Sequence, residues 1–217
     1  MVDIHTHIIP FVDDGSNSLE DSIEMVKHAI SIGVSTIYCT PHYIKGLYEK
    51  TVDEIKENFN LLVNEVKRLN LPITLYLGQE ILYTDEEDII SMLDNKQLLT
   101  LNDSKYVLIE FPFTREIEDL GELIYNFSCH DYKVIIAHIE RYEWMTLEKA
   151  LELKREGALI QVNADTLLKL TGKHEYKFTK KLLKLKLVDF IASDTHCFRP
   201  SNLNKIPKKM LKTLNKI

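Results

Sequence analysis

Seven short apolar segments, separated by longer amphipathic stretches, constrain the fold of this chain more than any other feature. The segments cover residues 2–5, 35–40, 73–78, 106–111, 134–138, 158–162 and 190–193. Their length and their β-branched and aromatic residues are typical of buried strands, whereas the stretches between them have the apolar spacing of helices. Strands that alternate with helices predict an α/β protein with a parallel sheet.

Helix start signals support this alternation. Asn17 with Glu20, and Thr51 with Glu54, have the spacing of a capping box, so each pair can cap the first turn of a helix. Apolar residues at helical spacing predict further helices over residues 117–127, 146–157 and 177–187.

Side chains of the types that bind metals follow six of the seven predicted strands. These are His5 with His7, His42, Glu80, Glu110, His138, and Asp194 with His196, while Asn163 follows the remaining strand. Successive members stand 25 to 38 residues apart, about one strand–helix unit each. His5 and His7 alternate along a strand, so their side chains point to the same face. The repetition indicates a shared metal site.

A shared site selects between two α/β architectures. In an open sheet, strands lie about 4.8 Å apart, so the first and seventh would end roughly 29 Å from each other. Ligands of one cluster must lie much closer, because metal–ligand bonds are only about 2 Å long. Closing the sheet brings all strand ends around one mouth, where barrel enzymes hold their chemistry. The sequence therefore predicts a distorted seven-stranded (βα)7 TIM-like barrel with a metal site at the C-terminal ends of the strands.

Length and composition predict one domain over residues 1–217. The chain has 217 residues, of which 45% are hydrophobic, and this is enough for a full core. No apolar run approaches the roughly 20 residues of a membrane span, and no charged leader with an apolar stretch opens the chain. The three cysteines are few and odd in number, which fits a reducing compartment. We expect a cytoplasmic protein without membrane insertion.

Charge is divided unevenly along the chain. Residues 1–168 contain 14 basic and 30 acidic side chains, whereas residues 169–217 contain 13 basic and three acidic ones. The acidic body argues against a nucleic-acid-binding protein, which needs phosphate neutralisation over a broad surface. The basic end is typical of solvated amphipathic helices, although it could attract an anionic partner.

Six motifs, in this order, resemble those of the polymerase-and-histidinol-phosphatase (PHP) superfamily. They are DIHTHIIPFVDDG, TPHY, GQEI, LIEF, AHIERY and ASDTH. Within the superfamily, LNDSKYVLIEF and HIERY are most similar to bacterial manganese-dependent protein-tyrosine phosphatases of capsule and exopolysaccharide gene clusters. The resemblance implies a centre of two or three divalent ions, with manganese first and iron or zinc as alternatives.

Position by position, the resemblance implies three sets of ligands. One ion would take His5, His7, Glu80 and Asp194, a second would share Glu80 and add Glu110 and His138, and a third would take Asp14, His42 and His196. Four carboxylates buried together without partners would be strongly destabilising or protonated, and divalent cations would remove that cost. A polar barrel mouth stabilised by hydrogen bonds alone is the alternative.

Two arginines follow metal-type histidines at the same spacing. Arg141 stands three residues after His138, and Arg199 stands three residues after His196. A guanidinium can bind a phosphate through two parallel hydrogen bonds. The resemblance assigns Arg141, and also Arg199, to the substrate phosphate, with salt bridges at the barrel rim as the alternative for both.

The resemblance implies hydrolysis of phosphotyrosine on an autophosphorylating bacterial tyrosine kinase, and so control of capsular or exopolysaccharide synthesis. A cysteine nucleophile does not fit, because Lys45 stands where such phosphatases need an arginine after Cys39, and Cys129 and Cys197 fit no better. Three alternatives stay open: a small-molecule phosphatase, for example for histidinol phosphate, a nuclease, and a non-catalytic metal-binding regulatory module.

Overall fold

A computed structural model describes residues 1–85 and 87–215, in which nine strands and eight α-helices follow one another. The strands are β1 (Val2–Thr6), β2 (Thr36–Cys39), β3 (His42–Tyr43), β4 (Thr74–Leu77), β5 (Glu80–Leu82), β6 (Tyr106–Glu110), β7 (Lys133–Ile136), β8 (Leu159–Asn163) and β9 (Phe190–Ala192). The helices are α1 (Leu19–Ser31), α2 (Val52–Arg68), α3 (Ile89–Asp94), α4 (Leu120–Cys129), α5 (Leu147–Arg155), α6 (Ala164–Leu167), α7 (Lys173–Lys184) and α8 (Lys208–Thr213).

The pairings between these strands are all parallel. One sheet has the order β1–β2–β4, and the other has the order β3–β5–β6–β7–β8–β9. Parallel neighbours need crossover connections, and most of these connections contain a helix. The prediction of an α/β protein with parallel sheets is confirmed.

Two of the seven predicted strands are each followed by a second short strand. β3 begins three residues after β2 ends, and β5 begins three residues after β4 ends. Pro41 lies in the first gap and has no backbone N–H to donate to a neighbour. Gly78 lies in the second gap, where a Cβ would stand 2.6 Å from Leu101 Cδ2. The described residues therefore contain nine strands where the sequence predicts seven, and the added pieces hold His42 and Glu80.

Hydrogen bonds join β1 to the end of β9 and the loop that follows it. The Asp194 N–H donates to the carbonyl oxygen of His5 at 2.9 Å. The Asp3 carboxylate accepts from the backbone N–H of Ser193 at 3.0 Å and from its hydroxyl at 2.6 Å. These contacts bring His5 and His7 next to Asp194, although 187 residues separate His7 from Asp194 in sequence.

Helix starts agree with the sequence signals in part. Thr51 and Glu54 form the predicted capping box, with the Glu54 N–H 3.2 Å from the Thr51 hydroxyl and the Thr51 N–H 2.8 Å from the Glu54 carboxylate. Ser18, not Asn17, caps α1, because its hydroxyl accepts an N–H of the first turn at 3.0 Å. α7 begins at Lys173, four residues earlier than predicted. No helix in the described part of the chain is long and apolar enough to cross a bilayer.

Candidate metal centre

Seven of the nine predicted metal ligands lie at the C-terminal ends of strands or in the loops that follow, and the other two, His42 and Glu80, begin the short strands β3 and β5 just after β2 and β4 end. The nine are His5, His7 and Asp14 from β1 and its loop, His42 from β3, Glu80 from β5, Glu110 from β6, His138 after β7, and Asp194 and His196 after β9. Seven of them are buried, whereas His42 is half-buried and Asp14 is exposed. Parallel strands end at the same edge of a sheet, so residues distant in sequence meet there.

Glu80 lies at the middle of this cluster. One of its oxygens, Oε2, stands 3.0 Å from His5 Nε2, 3.2 Å from His7 Nε2 and 3.1 Å from His42 Nδ1. Its other oxygen, Oε1, stands 2.9 Å from His138 Nε2. A single carboxylate therefore faces four imidazoles, as a bridging ligand between metal ions would.

The donor atoms form four overlapping groups, in each of which every atom lies within 4.8 Å of the others. The groups are His7, Asp14, His42 and His196; His5, Glu80 and His138; His5, His7 and Asp194; and His42, Glu80 and Glu110. Together they contain each of the nine residues. They do not reproduce the implied division into three sets, since His7 and His42 also join neighbouring groups, and the assignment of ligands to individual ions stays a prediction.

Hydrogen bonds on the outer ring nitrogens leave the inner ones free to bind a cation. His5 Nδ1 lies 3.1 Å from Gln161 Oε1, and His7 Nδ1 lies 2.8 Å from Asp13 Oδ2. Both outer nitrogens must donate, because each partner is an acceptor, so a neutral ring presents an unprotonated Nε2 to Glu80. Glu80 Oε2 is buried and has no hydrogen-bond donor among the described residues. Lone pairs that face one another at about 3 Å fit a divalent cation between them.

Asp13 orients His7, a role that the sequence alone does not predict. Its side chain is fully buried. It also accepts the backbone N–H groups of Gly15 and His42, both at 2.9 Å. A Cβ on Gly15 would collide with the backbone of His7, so only glycine lets the loop close this tightly. The sequence signal is the Asp13–Asp14 pair before Gly15, of which the resemblance implies only Asp14 as a ligand.

The side-chain amides of Gln161 and Asn163 connect three predicted ligands through hydrogen bonds. Gln161 Oε1 accepts from the His138 N–H at 2.8 Å as well as from His5. Gln161 Nε2 donates to Asn163 Oδ1 at 2.8 Å, and Asn163 Nδ2 donates to Asp194 Oδ2 at 2.9 Å. These bonds fix the orientation of both amides and hold the ligands in place. The sequence alone does not predict this role of Gln161 either, although an amide within the apolar run 158–162 is a signal.

Burial and neighbouring groups shift the pKa values of several side chains in the cluster. Burial, with the charge of Glu80 adding to it, raises the pKa of Glu110 to about 9. Burial lowers the pKa of His42 to about 4, so this imidazole is neutral and able to act as a ligand. The neighbouring His196 side chain lowers the pKa of Asp14 to about 2. A bound divalent cation would favour the ionised form of Glu110 and remove the cost of burying it.

The two predicted arginines both contact Asp194 at the mouth of the site. Arg199 Nη2 lies 2.8 Å, and Arg141 Nη1 lies 3.5 Å, from Asp194 Oδ2. Asp194 Oδ1 faces His5 and His7 instead, at 3.7 and 3.5 Å. Each arginine side chain keeps about a third of its surface exposed, at 33% for Arg199 and 35% for Arg141. Asp194 thus connects the metal-type cluster to two partly exposed guanidinium groups.

These groups line one open cavity of about 420 Å³. Asp14, His42, Glu110, His138, Asp194 and His196 lie on its wall, together with Arg141 and Arg199. The remaining lining residues are apolar: Ile44, Leu82, Phe111, Pro112, Phe113 and Phe198. The cavity therefore combines three kinds of group. Carboxylates and imidazoles can bind metals, guanidinium groups can bind an anion, and apolar side chains can contact an organic group.

Similarity to known proteins identifies the chain's family. The family model described as capsular polysaccharide synthesis, CpsB/CapC, matches residues 1–216. The chain belongs to this family. The tyrosine-protein phosphatase YwqE of Bacillus subtilis (strain 168) is 35% identical over 207 residues, which cover 94% of this chain and 80% of YwqE.

Solved structures extend the comparison. One from work on YwqE of Bacillus subtilis and CpsB of Streptococcus pneumoniae, described as unique metal-dependent tyrosine phosphatases, superimposes with a TM-score of 0.87. It is 33% identical and covers 94% of this chain and 84% of its own. Histidinol phosphate phosphatase of Lactococcus lactis subsp. lactis superimposes with a TM-score of 0.57 at 17% identity, over 90% of this chain and 85% of that one. This second likeness concerns the fold alone and fits a TIM-like architecture.

Proposed function

We propose that this chain is a metal-dependent protein-tyrosine phosphatase that dephosphorylates a bacterial tyrosine kinase and thereby regulates capsular or exopolysaccharide synthesis. The observation that carries the proposal is the cluster of nine metal-type donors, six of which line a cavity together with Arg141 and Arg199. Family membership and the similarity to tyrosine-protein phosphatases over most of the chain support it.

The nine donors would hold two or three divalent ions. Mixed imidazole and carboxylate donors without sulfur suit manganese, with iron or zinc as alternatives. Bound there, the ions would supply Lewis-acid activation of water and charge neutralisation for the phosphoryl group. Glu80 is placed to bridge ions, since its two oxygens together face four imidazoles.

Arg141 and Arg199 would bind the phosphoryl oxygens. Each already lies against Asp194 and retains exposed surface in the cavity, so a phosphate can take donors that Asp194 does not use. The Arg141 guanidinium carbon also lies 4.3 Å from the centre of the Phe113 ring, which restricts its orientation. A positioned guanidinium stabilises charge that develops on phosphorus oxygens without reorganising during the reaction.

No cysteine takes part in this mechanism. Cys39 is fully buried, and burial raises the pKa of its thiol. Cys129 and Cys197 are exposed and do not line the cavity that holds the arginines. A thiolate nucleophile needs access to the substrate phosphate, and none of the three cysteines has it.

The same proposal includes one seven-stranded barrel over residues 1–217, located in the cytoplasm. If β2 with β3, and β4 with β5, are two interrupted strands, the two sheets join into a single series. The hydrogen bonds between His5 and Asp194 and between Asp3 and Ser193 support closure of that series. A barrel of this kind would place all the strand ends around the cavity.

Turnover of two substrates tests the proposed function. We expect the manganese-loaded protein to hydrolyse a phosphotyrosine peptide with a kcat/KM roughly tenfold or more above that for histidinol phosphate, because the cavity is open and has apolar walls. Single- and double-stranded DNA incubated with the protein and metal should stay intact. A preference for histidinol phosphate would contradict the proposal, and metal binding without any turnover would favour a regulatory module.

A further inference from the structure

We propose that Phe198 selects the substrate by stacking its ring on the aryl group next to the phosphate. This inference rests on the proposed phosphatase function and adds the residue that would distinguish an aryl phosphate from an alkyl phosphate. Phe198 lines the same cavity as six of the metal-type donors and both arginines. Its relative exposure is 71%, the highest among the exposed large hydrophobic side chains of the described residues.

A tight turn fixes Phe198 at the edge of the site. The Arg199 N–H donates to the carbonyl oxygen of His196 at 2.9 Å, and the His196 N–H donates back to Arg199 at 3.2 Å. The turn therefore begins at a predicted metal ligand and ends at a predicted phosphate-binding residue. The Phe198 ring lies with its centre 5.2 Å from that of the His196 ring. A phosphate held by Arg199 can therefore place its organic group against the Phe198 ring, since both side chains line one cavity.

The rings of the other two phenylalanines that line the cavity are already in contact with other side chains. Phe113 has Arg141 over its ring at 4.3 Å and stacks on Tyr142 with ring centres 6.1 Å apart. Phe111 is fully buried among aromatic rings, with Tyr142 and Trp144 against it. Phe198 contacts His196 and is otherwise exposed, so its ring is the one that an incoming aryl group can cover.

An exposed ring at this place favours a planar apolar group over a short aliphatic one. Offset or edge-to-face contact between two rings adds to the gain from burying their apolar surface. The apolar wall contributed by Ile44, Leu82 and Pro112 would exclude water from the rest of the group. A phosphorylated serine or a small alkyl phosphate would lack the ring that makes this contact.

Calorimetry with two phosphonates tests the inference on the manganese-loaded full chain. Phenylphosphonate carries the ring and methylphosphonate does not, so the ratio of their Kd values isolates the aryl contact. We expect Phe198→Ala to reduce the preference for phenylphosphonate about tenfold. Phe198→Tyr, which keeps the ring, should restore the preference. Tyr125→Ala serves as the matched control, because Tyr125 is a 59% exposed aromatic residue of α4 that does not line the cavity.

Equal loss of affinity for both phosphonates in Phe198→Ala, or no change in their ratio, would overturn the inference. Turnover of the phosphotyrosine peptide is measured separately on the same samples. A wild-type protein without phosphotyrosine turnover would contradict the proposed function, and a ratio that still depends on Phe198 in that protein would support aryl recognition by this residue.

Discussion

Replacing Glu80 with alanine should lower the bound metal and reduce kcat/KM by about a thousandfold or more, because it removes the proposed bridge between metal ions. Glu80 is fully buried, and its Oε2 has three imidazole nitrogens within 3.2 Å. No other described carboxylate contacts as many of the predicted ligands. Metal content by mass spectrometry and steady-state kinetics would check this result on the same preparation.

Two further variants serve as controls for Glu80→Ala. Glu80→Gln keeps the shape of the side chain but not its charge, so it should also lose metal. Glu65→Gln removes a carboxylate that pairs with Arg68 on α2, and it should retain both metal and activity. Wild-type metal content in Glu80→Ala would show that Glu80 does not bridge ions.

Arg141→Ala should lose activity while its fold and metal content stay intact. A charge-assisted bidentate contact to the phosphoryl group is worth roughly 2–4 kcal/mol in the transition state, or about 30- to 1,000-fold in kcat/KM. Arg141→Lys should restore little, since an ammonium group lacks the planar fork and packs less well on the Phe113 ring. Rates of phosphotyrosine peptide hydrolysis for the two variants check this expectation.

The control for Arg141 is Arg115→Ala, because Arg115 forms an exposed pair with Asp85 and does not line the cavity. Its removal should change kcat/KM by less than about twofold. Full activity in Arg141→Ala would place Arg141 at the rim as a salt-bridge partner of Asp194. Phosphate binding would then depend on Arg199 or on the metal ions.

Residues of the site were predictable from the sequence where strand order alone brings them together. Each apolar run predicts a strand, and parallel strands end at one edge of the sheet. Glu110 and His138 could therefore be placed in the same site without coordinates. The network behind them was not predictable in this way. Gln161 and Asp13 act through hydrogen bonds to particular ring nitrogens, and although their positions in the sequence are unusual for polar residues, they do not indicate which nitrogen each side chain binds.

Local departures from the expected elements have similar causes. Pro41 and Gly78 lie in the breaks after β2 and β4. Pro41 lacks a backbone N–H and Gly78 has no room for a Cβ beside Leu101, and periodicity records neither property. Ser18 and Asn17 are both good helix caps, so which of them caps α1 depends on the position of the backbone at the end of the preceding loop. Tyr142 is identified only by its contacts. Its hydroxyl accepts the backbone N–H of Phe111, which follows Glu110, and donates to the carbonyl oxygen of Ala137, which precedes His138.

Metal content tests the proposed function most directly, because hydrolysis at this site depends on metal ions bound by the donors at the strand ends. The purified chain is loaded with manganese, freed of excess metal by gel filtration and analysed by mass spectrometry against protein concentration. We predict two or three manganese ions per chain, held by the nine donors that the structure brings together. Less than one bound transition metal per chain after loading would contradict a metal-dependent function for this chain.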